Sequence, residues 1–307
     1  MSRSAGGLDA LRLARPRQWP VLTAQFAVGA ILALPPWPAL PLAAAELAPW
    51  PLAGAWLAWV VLLNGGTLAY NSAWDRDTEP VAYLRRPPRP PRGLGPASLV
   101  AMVSGVAIGA LAAGPAFGAV TAICVLLSVA YSHPLPRLKG RPGLDLLVNM
   151  AGYGAGTTMA GWLAARAALP AGAPAPVAPA ALAALAFGLL FGSFFPQTQI
   201  YQAQADRARG DRTLAVRLGP GRALGLSLVL GLAALGALQA ALAVAGVTHW
   251  RWLPGAALFL WLAHARRWRS RAGSMTDAAH ESHMYRALGL WALIDAALLI
   301  AWLAPRG

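Results

Sequence analysis

The sequence predicts an all-α, polytopic membrane protein, and three observations carry that reading. The 307-residue chain is 57% hydrophobic and only 12% charged, about half the charged fraction of ordinary soluble domains. Long apolar runs recur at the length a helix needs to cross a bilayer, about 20 residues. The basic residues fall between those runs and alternate between dense and sparse segments, the pattern that orients membrane helices.

Nine spans are expected, at about 20–36, 53–73, 97–115, 117–132, 144–164, 179–200, 221–245, 252–265 and 287–304, from the apolar runs and their punctuation. The third and fourth are separated only by Gly114-Pro115, so they should form a tight antiparallel pair. If segments are counted alternately, 22 of the 25 Lys and Arg fall on one side; only Arg166, Arg251 and Arg306 fall on the other. The positive-inside rule then puts the amino terminus in the cytoplasm, the carboxyl terminus outside, and the protein in the cell (inner or plasma) membrane. The first span follows a basic, proline-punctuated segment (Arg12, Arg15, Pro16, Arg17) without a small-residue cleavage site, so an uncleaved anchor is expected.

The net charge of +14 would suggest nucleic acid in a soluble protein. Here topology and anionic ligands account for it, and no nucleic-acid partner is expected. The 13 Trp suit interfacial anchoring. The single Cys124 lies in an apolar run and can form no internal disulfide. The outward segments 34–52 and 167–180 are Pro- and Ala-rich connectors, and the whole of 1–307 reads as one transmembrane domain.

The polar chemistry concentrates at cytoplasmic helix ends. In Asn71-Ser-Ala-Trp-Asp75-Arg-Asp77-Thr-Glu79, positions 71, 75 and 79 are four apart, about one turn or roughly 6 Å along a helix. A face with an amide oxygen and two carboxylates at a membrane boundary can seat a hard divalent cation such as Mg2+. Alternatively it is a solvated helix end, its acids paired to Arg76, Arg85 and Arg86. Asp77 points roughly 160° away from Asp75. Glu79 precedes Pro80, which disfavours the helical region at position 79. A second acidic end, Gln202-Ala-Gln-Ala-Asp206, follows the sixth span and runs into Gly210-Asp-Arg212-Thr213; Thr198 extends its face one turn back. Gln197, Gln199 and Gln202 at this membrane boundary should face a cavity or another helix, because polar groups in lipid are costly. The third segment, Tyr131-Ser132-His-Pro-Leu-Pro-Arg137-Leu-Lys139-Gly-Arg141, sets cations after a helix end broken by prolines. Such cations suit an anionic, metal-bound ligand, for example a diphosphate. Two acidic helix ends, each followed by arginines and a further span, suggest two pseudo-repeated four-helix halves around a central cavity.

These motifs in their order resemble the UbiA superfamily of intramembrane prenyltransferases: Asn71-x3-Asp75-Arg76-x2-Glu79, Arg89-Pro90-x2-Gly93, Tyr131-Ser132…Arg137-Leu138-Lys139, and Asp206-x3-Gly210-x-Arg212-Thr213…Leu218-Gly219. The resemblance implies nine helices around a cavity, with Mg2+ held on the diphosphate of an isoprenyl donor and the prenyl chain in an apolar tunnel. Carried over by position, Asn71, Asp75 and Glu79 would bind one metal and Asp206, with Gln202, the second; Asn71, Asp75 and Asp206 would be the catalytic set. Arg89, Arg137, Lys139 and Arg212 would contact the diphosphate. The expected reaction transfers an isoprenyl group from a polyprenyl diphosphate to a lipophilic acceptor, of the aromatic, quinone-precursor type. A terpene cyclase of the same fold and an anionic-lipid or metabolite transporter are the rivals. The chain departs from the family pattern at Glu79 and Gln202, where aspartates are usual. Gln202 keeps a carbonyl oxygen but loses a charge.

Further candidates lie outside these motifs. Tyr131, and Asn149 and Tyr153 at i and i+4 on the fifth span, are expected to face the cavity. Asp295 falls within the last span, where an ionised acid is disfavoured by a few kcal/mol. His280, Glu281 and His283 are expected in a solvated cytoplasmic loop.

Overall fold

Residues 3–35, 39–76, 81, 84, 86–174, 176–208 and 210–305 are described by a computed structural model. Among them every regular element is helical, apart from an isolated bridge between Val81 and Leu84. This is what a bilayer demands of an apolar chain, since a helix satisfies its own backbone groups without water.

The helices in chain order are α1 (Arg3–Leu13), α2 (Trp19–Ile31), α3 (Pro49–Asp75), α4 (Leu94–Ala113) and α5 (Pro115–Ser132). Next comes α6, running continuously through Leu144–Asn149, Met150–Gly156 and Thr157–Ala168. Then follow α7 (Val177–Ile200), α8 (Ala203–Ala208), α9 (Leu214–Leu218), α10 (Pro220–Val244), α11 (Trp252–Arg269) and α12 (Asp277–Leu303). A short helix, Leu40–Ala45, precedes α3. Among the described residues, six helices are long and apolar enough to cross a membrane: α3, α4, α5, α7, α10 and α12. The other three expected spans correspond to α2, of 13 residues, to α6, whose middle is π-helical, and to α11, whose last turn carries Arg266, Arg267 and Arg269.

One expected boundary is corrected. The last helix starts at Asp277, ten residues before the expected 287, because Thr276 caps it by accepting the Ala279 N–H at 3.3 Å. His280, Glu281 and His283 therefore lie in its first two turns, not in a loop. The apolar stripe Met284, Ala287, Trp291, Ile294 continues from His280 at helical spacing, which is why His280 is buried.

The chain forms two compact units. The first comprises Met1–Ala30, Glu46–Leu138 and Ala160–Ala173. Its core is the packing of α3 on α4 through small residues, which let backbones approach closely. A Cβ on Gly105 would stand 2.9 Å from the Ala58 carbonyl oxygen, and one on Gly54 would stand 2.6 Å from the Ala112 methyl. Gly114, at φ +88°, makes the tight turn between α4 and α5 that the sequence announces.

The second unit comprises Ile31–Ala45, Lys139–Met159 and Pro174–Gly307. Here α7 is central and packs on α10 and on the π-helical turns of α6. Gly154 and Gly188 make that contact possible; a Cβ on Gly154 would collide with the Phe187 carbonyl. Ser193 Oγ donates to the Ser227 carbonyl at 2.7 Å and accepts the Trp261 indole N–H at 3.0 Å, tying α7 to α10 and α11.

Candidate active site

In the first unit, α3 delivers the first acidic end. Its middle, Leu57–Gly65, is π-helical, and regular α-helix resumes over Gly66–Asp75. Asn71 and Asp75 thus sit one turn apart on one face, both partly buried. The helix stops there. Arg76 takes the left-handed conformation (φ 51°) and its N–H caps the Ser72 carbonyl at 3.1 Å. The helix that carries Asn71 and Asp75 ends at Asp75; Glu79, like Asp77, lies outside the described residues.

The neighbouring α5 braces this end. Ser132 Oγ donates to Asn71 Oδ1 at 3.2 Å, and the Thr67 and Ser128 hydroxyls meet at 2.9 Å. The His133 ring packs edge-on against Trp74, with centroids 5.0 Å apart. Ser132 is buried, whereas Tyr131 is half-buried and Arg137 and Arg89 are exposed. Arg137 adopts φ 50° in the turn after α5.

In the second unit, α7 ends at Ile200 and the chain turns at Tyr201 and Gln202 before α8. The expected unbroken helical face through 206 is thus two helices. Gln202 still holds its step to Asp206, since the Asp206 N–H bonds the Gln202 carbonyl at 2.9 Å. The Gln202 side chain donates to the Tyr201 hydroxyl at 2.9 Å. Asp206 is 5% exposed. Its Oδ2 accepts the Thr213 hydroxyl at 3.2 Å, and its carbonyl accepts the Asp211 N–H at 2.9 Å, closing the turn between α8 and α9. Lys139 is partly buried and Arg212 exposed.

Asn149 is buried and donates back to the Asp145 carbonyl at 2.8 Å. Tyr153 stacks on Phe191 at 5.3 Å and 12°. Sequence reasoning missed what Phe191 belongs to: an aromatic cluster in which Phe191 and Phe194 meet each other and Trp291, and Trp261 meets Phe194 and Trp291, with ring centroids 5.9 to 6.4 Å apart. The signal was Phe187, Phe191 and Phe194 at helical spacing on α7. Asp295 lies one turn beyond Trp291, and its Oδ1 is buried without a hydrogen-bond partner. Asp145 was also missed; it is fully buried at the start of α6.

Among the described residues, no three His, Cys, Asp or Glu side chains group closely enough to hold a metal. The candidate donors are instead mixed: a carboxylate and an amide oxygen at Asp75 and Asn71, the same pair at Asp206 and Gln202. All are oxygens, which suits Mg2+ rather than a thiophilic or imidazole-seeking metal. So sparse a set fits the usual habit of Mg2+, which takes one or two carboxylates and completes its shell with water and substrate phosphates.

Residues 27–289 match the UbiA prenyltransferase family. The chain belongs to that family. Its fold is shared by solved structures of low sequence identity. A UbiA homologue from Archaeoglobus fulgidus bound to GPP and Mg2+ is 18% identical, with a TM-score of 0.64 over 95% of this chain and 99% of that one. A structure of digeranylgeranylglyceryl phosphate synthase is 12% identical, with a TM-score of 0.69 over 97% of this chain and 99% of that one. The apo UbiA homologue from Aeropyrum pernix K1 is 19% identical, with a TM-score of 0.61 over 91% and 96%. No curated protein sequence matches. As a UbiA-family chain it is integral to the membrane, in keeping with the six long apolar helices among its described residues.

Proposed function

We propose that this protein is an Mg2+-dependent intramembrane prenyltransferase, a single domain of nine transmembrane helices in two related halves, with its polar loops in the cytoplasm. The donor is a polyprenyl diphosphate and the acceptor a lipophilic nucleophile, of aromatic, quinone-precursor type. The observation that carries the reading is the pairing of two oxygen-donor helix ends with basic segments in a UbiA-family chain. That one relative of the same fold is bound to GPP and Mg2+ supports it.

Asn71 and Asp75, with Glu79, hold one Mg2+; Asp206, with Gln202, holds the second. When bound, the metal offsets charge that develops on the diphosphate as it leaves. Arg89, Arg137, Lys139 and Arg212 bind the diphosphate oxygens; Arg suits this role because its planar fork matches phosphate geometry. The allylic C1–O bond breaks, its electron pair departs with diphosphate, and the acceptor's carbon bonds C1 and loses a proton. Ser132 keeps the Asn71 amide oxygen oriented, and Thr213 does the same for the Asp206 carboxylate. The Tyr153–Phe191 stack offers π-faces to a prenyl cation and excludes water from it.

The test is product analysis. Purified protein with labelled geranyl or longer prenyl diphosphate and Mg2+ should release diphosphate and form a prenylated product only when a lipophilic aromatic acceptor is added. A cyclised hydrocarbon formed without acceptor would replace transfer with cyclisation. Movement of intact prenyl diphosphate across vesicles without bond cleavage would replace both with transport.

A further inference from the structure

We propose that Asp145 is a positioning residue for the second acidic segment: with the half-buried Gln199 it forms a carboxylate–amide pin that fixes the α8–α9 turn and thereby the Asp206 carboxylate. The inference rests on the reading of Asp206 as a Mg2+ ligand.

Asp145 is 0% exposed. Its Oδ1 accepts the N–H groups of Gly143 at 2.8 Å and Leu146 at 2.7 Å, closing the turn that follows Lys139 and Arg141. Gly143 occupies that turn at φ +96°. The other oxygen, Oδ2, accepts Gln199 Nε2 at 3.3 Å from the last turn of α7. Gln199 Oε1 in turn accepts the backbone N–H of Ala215, on α9, at 3.3 Å. Two residues before it, Thr213 caps α9 and donates to Asp206 Oδ2. A carboxylate at the start of α6, the end of α7 and the Asp206 turn are thus joined through two side chains.

The pin has a direction. A carboxylate only accepts and a backbone N–H only donates, so the Gln199 amide has one orientation that satisfies both neighbours. Replacing Asp145 by Asn keeps the shape but not this logic. The Gly143 and Leu146 N–H groups claim the oxygen of the introduced amide, so its NH2 must face the NH2 of Gln199. Turning Gln199 over moves the conflict to the Ala215 N–H. Every arrangement leaves two donors opposed beside the fully buried residue 145 and the half-buried Gln199, where an unsatisfied polar group is costly. Changing Gln199 to Glu in that background removes the conflict. The introduced carboxylate accepts from both the new amide at position 145 and the Ala215 N–H, and the double variant has the same net charge and nearly the same volume as the parent.

The experiment compares the full-length, detergent-solubilised parent with Asp145→Asn, Gln199→Glu and the double variant. One readout is hydrogen exchange in the segment 203–218; the other is the Mg2+ concentration that half-saturates thermal stabilisation by Mg2+ and geranyl diphosphate. Each single variant should speed exchange in 203–218 and raise the half-saturating Mg2+ about 10-fold, the usual scale for loss of a group that orients a metal ligand. The double variant should return both to within about 2-fold of the parent. If Asp145→Asn alone fails to fold, recovery of folding on adding Gln199→Glu supports the pin and continued failure overturns it. Parental exchange in Asp145→Asn, or a double variant no better than the single, also overturns it. A parent protein with no Mg2+ and geranyl diphosphate response would defeat the functional reading instead, and the exchange comparison would still decide the pin.

Discussion

Ser132 donates its hydroxyl hydrogen to the Asn71 amide oxygen across 3.2 Å, joining the end of α5 to the acidic end of α3. The bond leaves that oxygen a further lone pair and fixes which way the amide faces. Ser132→Ala should therefore act on ligand placement more than on folding. The expected result is a few-fold rise in the Mg2+ needed for half-maximal activity with a stability loss of about 1 kcal/mol, the net worth of a typical hydrogen bond. Mg2+ titration of initial rates, with a parallel thermal melt, checks both.

The Trp261–Ser193–Ser227 relay predicts an asymmetry between two buried serines. Ser193→Ala strands the Trp261 indole N–H inside the protein, whereas the Ser227 hydroxyl only bonds back to the Ala223 carbonyl of its own helix at 3.2 Å. Ser193→Ala should cost about 1–3 kcal/mol, the penalty for an unsatisfied buried donor. Ser227→Ala should cost well under half of that. Denaturation of the two variants side by side would reverse or equalise this order if the relay were incidental.

Close helix packing gives a third expectation. Gly161, on α6, lies directly against the Phe26 carbonyl and the Ala30 backbone nitrogen of α2, and both would meet an added Cβ. Gly161→Ala should destabilise the protein by about 1–3 kcal/mol through overpacking, despite the higher helix propensity of Ala. Gly236→Ala, where a Cβ would meet nothing within 4 Å, should be neutral or slightly stabilising in the same melt.

The helical, membrane-embedded character of the chain was legible because a bilayer enforces it through composition, and the Asn71–Asp75 step was legible because it follows helical spacing. The reading failed where the backbone left that spacing. Arg76 turns left-handed and ends the helix at Asp75; the chain also turns at Tyr201 and Gln202. No residue pattern announces the π-helical turns of α3 and α6, which shift the register of everything after them. The start of α12 was readable in principle from Thr276-Asp277, but the polar His280-Glu281-Ser282-His283 run obscured it. Asp145 and Gln199 are 54 residues apart, and only folding reveals that one carboxylate serves both turns.

Asp75 carries the central claim, and its substitution by Asn tests that claim with least disturbance. The measurement is the rate of diphosphate release from labelled geranyl diphosphate, with acceptor present, in the parent and in Asp75→Asn, each with Mg2+ and with chelator. The parent should depend wholly on Mg2+, and Asp75→Asn should be slower by about 100-fold or more, the scale set by losing one preorganised electrostatic group. Parental rates in Asp75→Asn, together with indifference to chelation, would contradict it.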